Sequence, residues 1–191
     1  MEPLRPYERL PEAIEYNGTT YRLDLSYGAF FAACEALADA RLSPELRIRT
    51  ALDIFVRDEH PLDPELLRAV LELTKDDQPR PDGPRTMDVV QDWPYVCAAF
   101  QQAYGIDLYA DKSLHILRFK ALLRGIPRST RLADIINIRA ADVPAPDRHN
   151  QKQIAELLKL KAQYALRGSS ASMQEGWGQL FARLEARAKH G

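Results

Sequence analysis

The chain has 191 residues, 46% of them hydrophobic and 28% charged, and its formal net charge is -1. That apolar content supports the core of one large domain, or of one domain with an arm, and excludes a disordered polymer. Near-neutral charge argues against a general electrostatic hold on nucleic acid or on anionic membrane.

The first ten residues carry prolines and charges without the apolar run of a signal peptide. No stretch approaches the ~18 apolar residues that span a bilayer. The expectation is a protein made and used in the cytoplasm, with no membrane partner. Ala13-Ile14-Glu15-Tyr16, Asn17-Gly18 and Thr19-Thr20-Tyr21-Arg22-Leu23 then form a two-residue hairpin pattern, because Asn and Gly tolerate the positive φ of a type I′ turn. In that register Tyr16 pairs with Thr19 and Ile14 with Tyr21. Ile14, Tyr16, Tyr21 and Leu23 share one face, which must lie on helices or on another chain, since a lone hairpin is marginal.

Helical periods follow. Ser26 caps a helix with the stripe Tyr27, Phe30/Phe31, Cys34 and Leu37/Ala38. Ser43-Pro44-Glu45 and Asp63-Pro64-Glu65 are start signals, with proline at the first helical position and an acid in the first turn. The first leads to Ile48, Ala51/Leu52 and Phe55, the second to Leu66/Leu67 and Val70/Leu71. Asp76 to Arg85 then holds three prolines, one glycine and no apolar side chain, which predicts a connector.

Beyond it, Asp92-Trp93-Pro94 opens a helix with Val96, Ala99/Phe100 and Ala103/Tyr104, stopped by Gly105. From Ser113 to Arg124 a helix is predicted that is apolar nearly all round, central in a core or shared with a partner. Thr130 caps a short helix with Leu132, Ile135/Ile136 and Ile138, and another runs from Asn150 to Leu166. After Gly168, the residues Met173, Trp177, Leu180, Leu184 and Ala188 make a narrow stripe resembling a short coiled-coil seam. The fold class is therefore mainly α with a small N-terminal β-hairpin, as a multi-helix orthogonal bundle with a C-terminal docking helix. Its expected parts are residues 10–75, a connector at 76–87, a helical core at 88–167 and an arm at 168–191.

Chemistry-bearing residues are sparse. Cys34 and Cys97 stand alone inside apolar patterns and read as buried reduced thiols. None of His60, His115, His149 and His190 has a partner at metal-ligand spacing. His60 reads as a solvated turn, and His115 as a core or interface residue. There is no Gly-rich phosphate loop and no Gly-x-Ser-x-Gly elbow, so no cofactor and no enzymatic activity are expected.

Charge is more telling. Between residues 118 and 139 the bases Arg118, Lys120, Arg124, Arg128, Arg131 and Arg139 face one acid, Asp134, whereas acids outnumber bases from Asp58 to Asp92. A solvated face with internal ion pairs accounts for this, and so does contact with an acidic protein or with nucleic acid. The helix pair around Gly125 has helix-turn-helix spacing, yet Leu132, Ile135, Ile136 and Ile138 leave few positions to meet base edges.

The run Ala99 to Leu108, with Leu114-His115, Phe119 to Leu123, Gly125-Ile126-Pro127, Thr130 and Ile135 to Arg139, resembles the gene-product-fifteen family of siphophage and prophage tail modules. Leu10-Pro11, Ile14, Gly18, Tyr21 and Leu23 agree with that family's opening hairpin. Ile116-Leu117 depart from it, standing where the family carries aromatic residues.

The resemblance implies a tail assembly chaperone, encoded just upstream of the tape measure protein, that coats this partner while tail-tube subunits polymerise and is then absent from the finished virion. A chaperone of a long helical partner needs exposed apolar strips and self-association. The candidate partner-binding residues are Leu114, Leu117 and Arg118, with Met173, Trp177, Leu180 and Leu184. The partners so implied are the tape measure protein, the tail tube protein and a second copy of the chain. A nucleic-acid-binding or regulatory phage protein using residues 118–139 is the alternative.

Overall fold

Asn17 and Gly18 carry the chain through a tight reversal at φ 50° and 76°, the left-handed pair that a type I′ turn requires. The computed structural model describes residues 9–75 and 85–167. In it this turn joins β1 (Ala13–Tyr16) to β2 (Thr19–Arg22), paired antiparallel with Ile14 opposite Tyr21 and Tyr16 opposite Thr19. Seven helices follow among the described residues: α1 (Tyr27–Ala38), α2 (Pro44–Phe55), α3 (Pro64–Leu73), α4 (Trp93–Tyr104), α5 (Ile116–Arg124), α6 (Arg131–Ala140) and α7 (Gln151–Gln163). The protein is mainly α with an N-terminal hairpin. The C-terminal docking helix expected at 168–191 lies outside the described residues.

Local chemistry starts these helices where the sequence pattern places them. The Ser26, Ser43 and Thr130 hydroxyls accept from the N–H of Ala29, Leu46 and Ala133 at 3.2, 3.2 and 3.3 Å. Asp63 accepts from Glu65 at 2.8 Å. Each such cap contributes about 1 kcal/mol. At the far end of α4, Gly105 sits at φ 67° and its N–H closes the helix on the Gln101 carbonyl at 3.1 Å.

The described residues fall into two compact units, one of residues 9–75 and 112–120, the other of residues 85–111 and 121–167. A backbone spine runs through the first. On one side of the extended run Arg22–Tyr27, Asp24 N–H donates to Phe55 O at 2.7 Å and Arg57 N–H to Arg22 O at 2.9 Å. On the other, Tyr27 N–H donates to Leu114 O and Ile116 N–H to Leu25 O, both at 2.8 Å. Leu114 and His115 are thereby committed to an extended pairing, so α5 begins at Ile116 and not at Ser113 as periodicity predicts. α1 packs on α2 and α2 on α3, burying Leu52, Phe55, Leu66 and Leu67 completely. Each of these side chains contributes about 1.5–3 kcal/mol. Phe119 stacks on Tyr27 with ring centroids 5.0 Å apart.

In the second unit α4 packs on α6 and α6 on α7, with Val96, Phe100, Leu108, Leu132 and Ile135 at the centre. The Tyr104 hydroxyl donates to Leu122 O at 2.9 Å, tying the end of α5 to α4. Neither α5 nor α7 matches its sequence expectation in full. In α5 only Ile116 and Phe119 are buried, while Leu117, Leu122 and Leu123 are half-buried. α7 is shorter than the span 150–166, and none of its residues is buried.

Candidate functional site

The titratable groups decide whether the chain carries reaction chemistry. His115 is the residue before α5, and its Nδ1 accepts from Leu117 N–H at 3.2 Å. Its Nε2 therefore holds the proton and donates to Pro11 O at 3.1 Å. The ring acts as a helix cap and as a tie to the segment before β1. Burial lowers its pKa below the ordinary 6.5, in keeping with a neutral ring.

His60 departs from its expected solvated turn. Its side chain is only 8% exposed, with Nε2 3.2 Å from Asp53 Oδ1 and Nδ1 3.2 Å from Pro61 O. Together with Arg49, Val56, Asp58 and Glu59, these two side chains line a polar groove of about 350 Å³.

Both cysteines are free and buried. Burial pushes the Cys34 thiol up to about 12, against a smaller opposing pull from Lys120. Burial also raises Cys97, whose thiol meets the Tyr109 hydroxyl. Among the described residues no group of three or more His, Cys, Asp and Glu could hold a metal ion, and no helix is long and apolar enough to cross a membrane. His190 lies outside the described residues.

The basic segment divides between internal and outward roles. Lys120 Nζ donates to Thr74 O at 2.6 Å, just past the end of α3, and lies 4.8 Å above the Phe30 ring. In the second unit Arg139 grips both carboxylate oxygens of Asp92 at 2.7 and 2.8 Å. It also donates to Tyr164 O at 2.6 Å and to Thr86 O at 3.0 Å. Arg131 lies over the Tyr164 ring and donates to its hydroxyl at 2.7 Å. Arg118, Arg124 and Arg128 are exposed. Lys120, Arg131 and Arg139 thus spend their charge within their own unit, which weakens a phosphate-binding stripe.

Of the predicted partner-binding residues, Leu114 is half-buried in the spine, Leu117 is half-buried on the first turn of α5, and Arg118 beside it is exposed. Met173, Trp177, Leu180 and Leu184 lie outside the described residues. Other exposed apolar side chains were not singled out from sequence: Leu46, Leu62, Val90, Tyr109, Val143 and Leu158.

Leu158 shows why. Lys161 Nζ donates to Arg139 O at 2.7 Å, and the Tyr164 carbonyl accepts from Arg139. These bonds set the rotation of α7, with Ile154, Leu157, Lys161 and Tyr164 half-buried and Ala155, Leu158 and Ala162 exposed. Leu158 is left 49% exposed.

A family model described as Bacteriophage Gp15 protein matches residues 7–166, so the chain belongs to that family. No curated protein and no solved structure matches it.

Proposed function

From membership of the bacteriophage Gp15 family we propose that this chain is a non-enzymatic tail assembly protein. It holds the tape measure protein in the host cytoplasm while tail-tube subunits polymerise around it, and it leaves before the virion is complete. The family match carries the reading. Two structural features support it. Large apolar side chains stand exposed on both units, as a protein that binds other proteins requires. His60, His115, Cys34 and Cys97 have caps, ties and burial to explain them.

The contact residues on this reading are Leu117 and Arg118 on α5, with the stripe Met173, Trp177, Leu180 and Leu184. The test is co-purification of the tape measure protein with the full chain. Trp177→Asp with Leu180→Asp is expected to abolish capture. Capture that is unchanged in this variant would remove the stripe from the contact surface, and no capture by the parent chain would refute the reading.

A further inference from the structure

α7 is fastened mainly at its C-terminal end. None of its residues is buried, and Asn150 before it makes no side-chain cap bond. A helix of this length is marginal in water without a packed face. The bonds that fix it run from Lys161 to Arg139 O, from Arg139 to Tyr164 O and from Arg131 to the Tyr164 hydroxyl. Beyond them Gln91 clasps the backbone of Arg167. Its Nε2 donates to Arg167 O at 2.9 Å, and its Oε1 accepts from Arg167 N–H at 2.8 Å.

The outward side of α7 carries a seam. Ala155, Leu158 and Ala162 are all exposed, and their steps of three and four place them on one helix face. The chain beyond Arg167 holds a stripe of the same period, because Met173, Trp177, Leu180 and Leu184 step by four, three and four. Nine residues, 164–172, separate α7 from Met173, about the length of a connection between antiparallel helical neighbours. Leu158 and Leu180 lie equally far from Ser169, the middle of the Gly168-Ser169-Ser170 joint. By the same count Trp177 comes to Ala162 and Leu184 to Ala155, each within one residue. Large side chains therefore meet small ones and can interdigitate.

We infer that the C-terminal segment folds back antiparallel on α7 of its own chain, seating Trp177, Leu180 and Leu184 along Ala155, Leu158 and Ala162. The clasp at Arg167 selects this occupant, because it starts the segment at a fixed point beside α7. Six residues from Arg167 to Met173 reach about 20 Å, enough to round a helix about 10 Å across. A segment tethered this closely meets the seam at an effective concentration on the order of millimolar, which a second copy in dilute solution does not match. The free chain then shelters the stripe proposed above to meet the tape measure protein. That consequence rests on the tape-measure reading, whereas the docking is measured on the chain alone, so either can fail while the other stands.

The experiment is disulfide trapping in the full chain with oxidised glutathione. Cys34 and Cys97 are buried, so introduced thiols react first. Leu158→Cys with Leu180→Cys is expected to close a bond within one chain. It should form about tenfold or more faster than with Glu156→Cys and Leu180→Cys, since Glu156 is exposed on a different side of α7. Equal rates for the two pairs overturn the inference. A bond that forms between chains assigns the seam to a second copy and overturns it equally. A second readout needs no new thiol. Trp93→Phe leaves Trp177 as the one tryptophan, and its emission should be blue-shifted from that of the unfolded chain. Leu158→Asp changes an exposed position and should return that emission toward the red. Emission from Trp177 that ignores Leu158→Asp places the stripe elsewhere and contradicts the docking.

Discussion

Arg139 closes on Asp92 across 47 residues of sequence with both carboxylate oxygens engaged, and the two side chains are only 10% and 2% exposed. Asp92 stands just before α4 and Arg139 lies in the last turn of α6, so each charge also faces the helix end that favours it. The Asp88 N–H donates to the same carboxylate at 3.0 Å. With Lys161 and Tyr164 bonded to Arg139, this one cation joins the start of α4 to the ends of α6 and α7.

Removing one member leaves the other charge buried and unpaired. Arg139→Met is therefore expected to cost about 3–5 kcal/mol, and Asp92→Leu in the same background to recover much of it. Denaturant unfolding of the two single variants and the double variant measures this. A loss below about 1 kcal/mol for Arg139→Met would place the pair among weak surface bridges.

The His115 cap makes stability depend on pH. Its folded pKa lies below the ordinary 6.5, so as pH falls the unfolded chain takes up the proton first. Stability from this group is complete above about 6.5 and declines below it. Protonation of Nδ1 removes the acceptor for Leu117 N–H. His115→Asn keeps a side-chain oxygen for that N–H and should flatten the acid slope of unfolding free energy. An unchanged slope in the variant would show that other groups set it.

Cys34 should resist thiol reagents in the folded protein. Its pKa of about 12 leaves almost no thiolate at neutral pH, and the side chain is buried. Modification with a colourimetric disulfide reagent should follow unfolding, with Cys97 behaving likewise. Rapid labelling of both thiols under native conditions would contradict their placement.

Features governed by neighbours in sequence were legible in advance. Asn17-Gly18, Ser26, Ser43-Pro44, Asp63-Pro64 and Thr130 each direct the backbone through bonds a few residues long, and the elements they start are found where expected. Features governed by distant partners were not. The extended backbone of Leu114 and His115 depends on pairing with residues 25–27, while their side chains fit a helical pattern equally well. The rotation of α7 was hidden for a similar reason. Leu157 and Leu158 are equivalent in sequence, and contacts with residues distant in sequence, among them the bonds of Arg139 to Lys161 and Tyr164, determine which one faces outward. Arg139 itself looked like one more base in a positive run, because a buried ion pair has no local signature.

The most direct test of the assembly role is solubility of the tape measure protein expressed in bacteria with and without this chain, from otherwise identical cultures. A tail assembly chaperone should move the tape measure protein from the pellet into the soluble fraction and elute with it. A tape measure protein equally insoluble in both cultures would contradict the role.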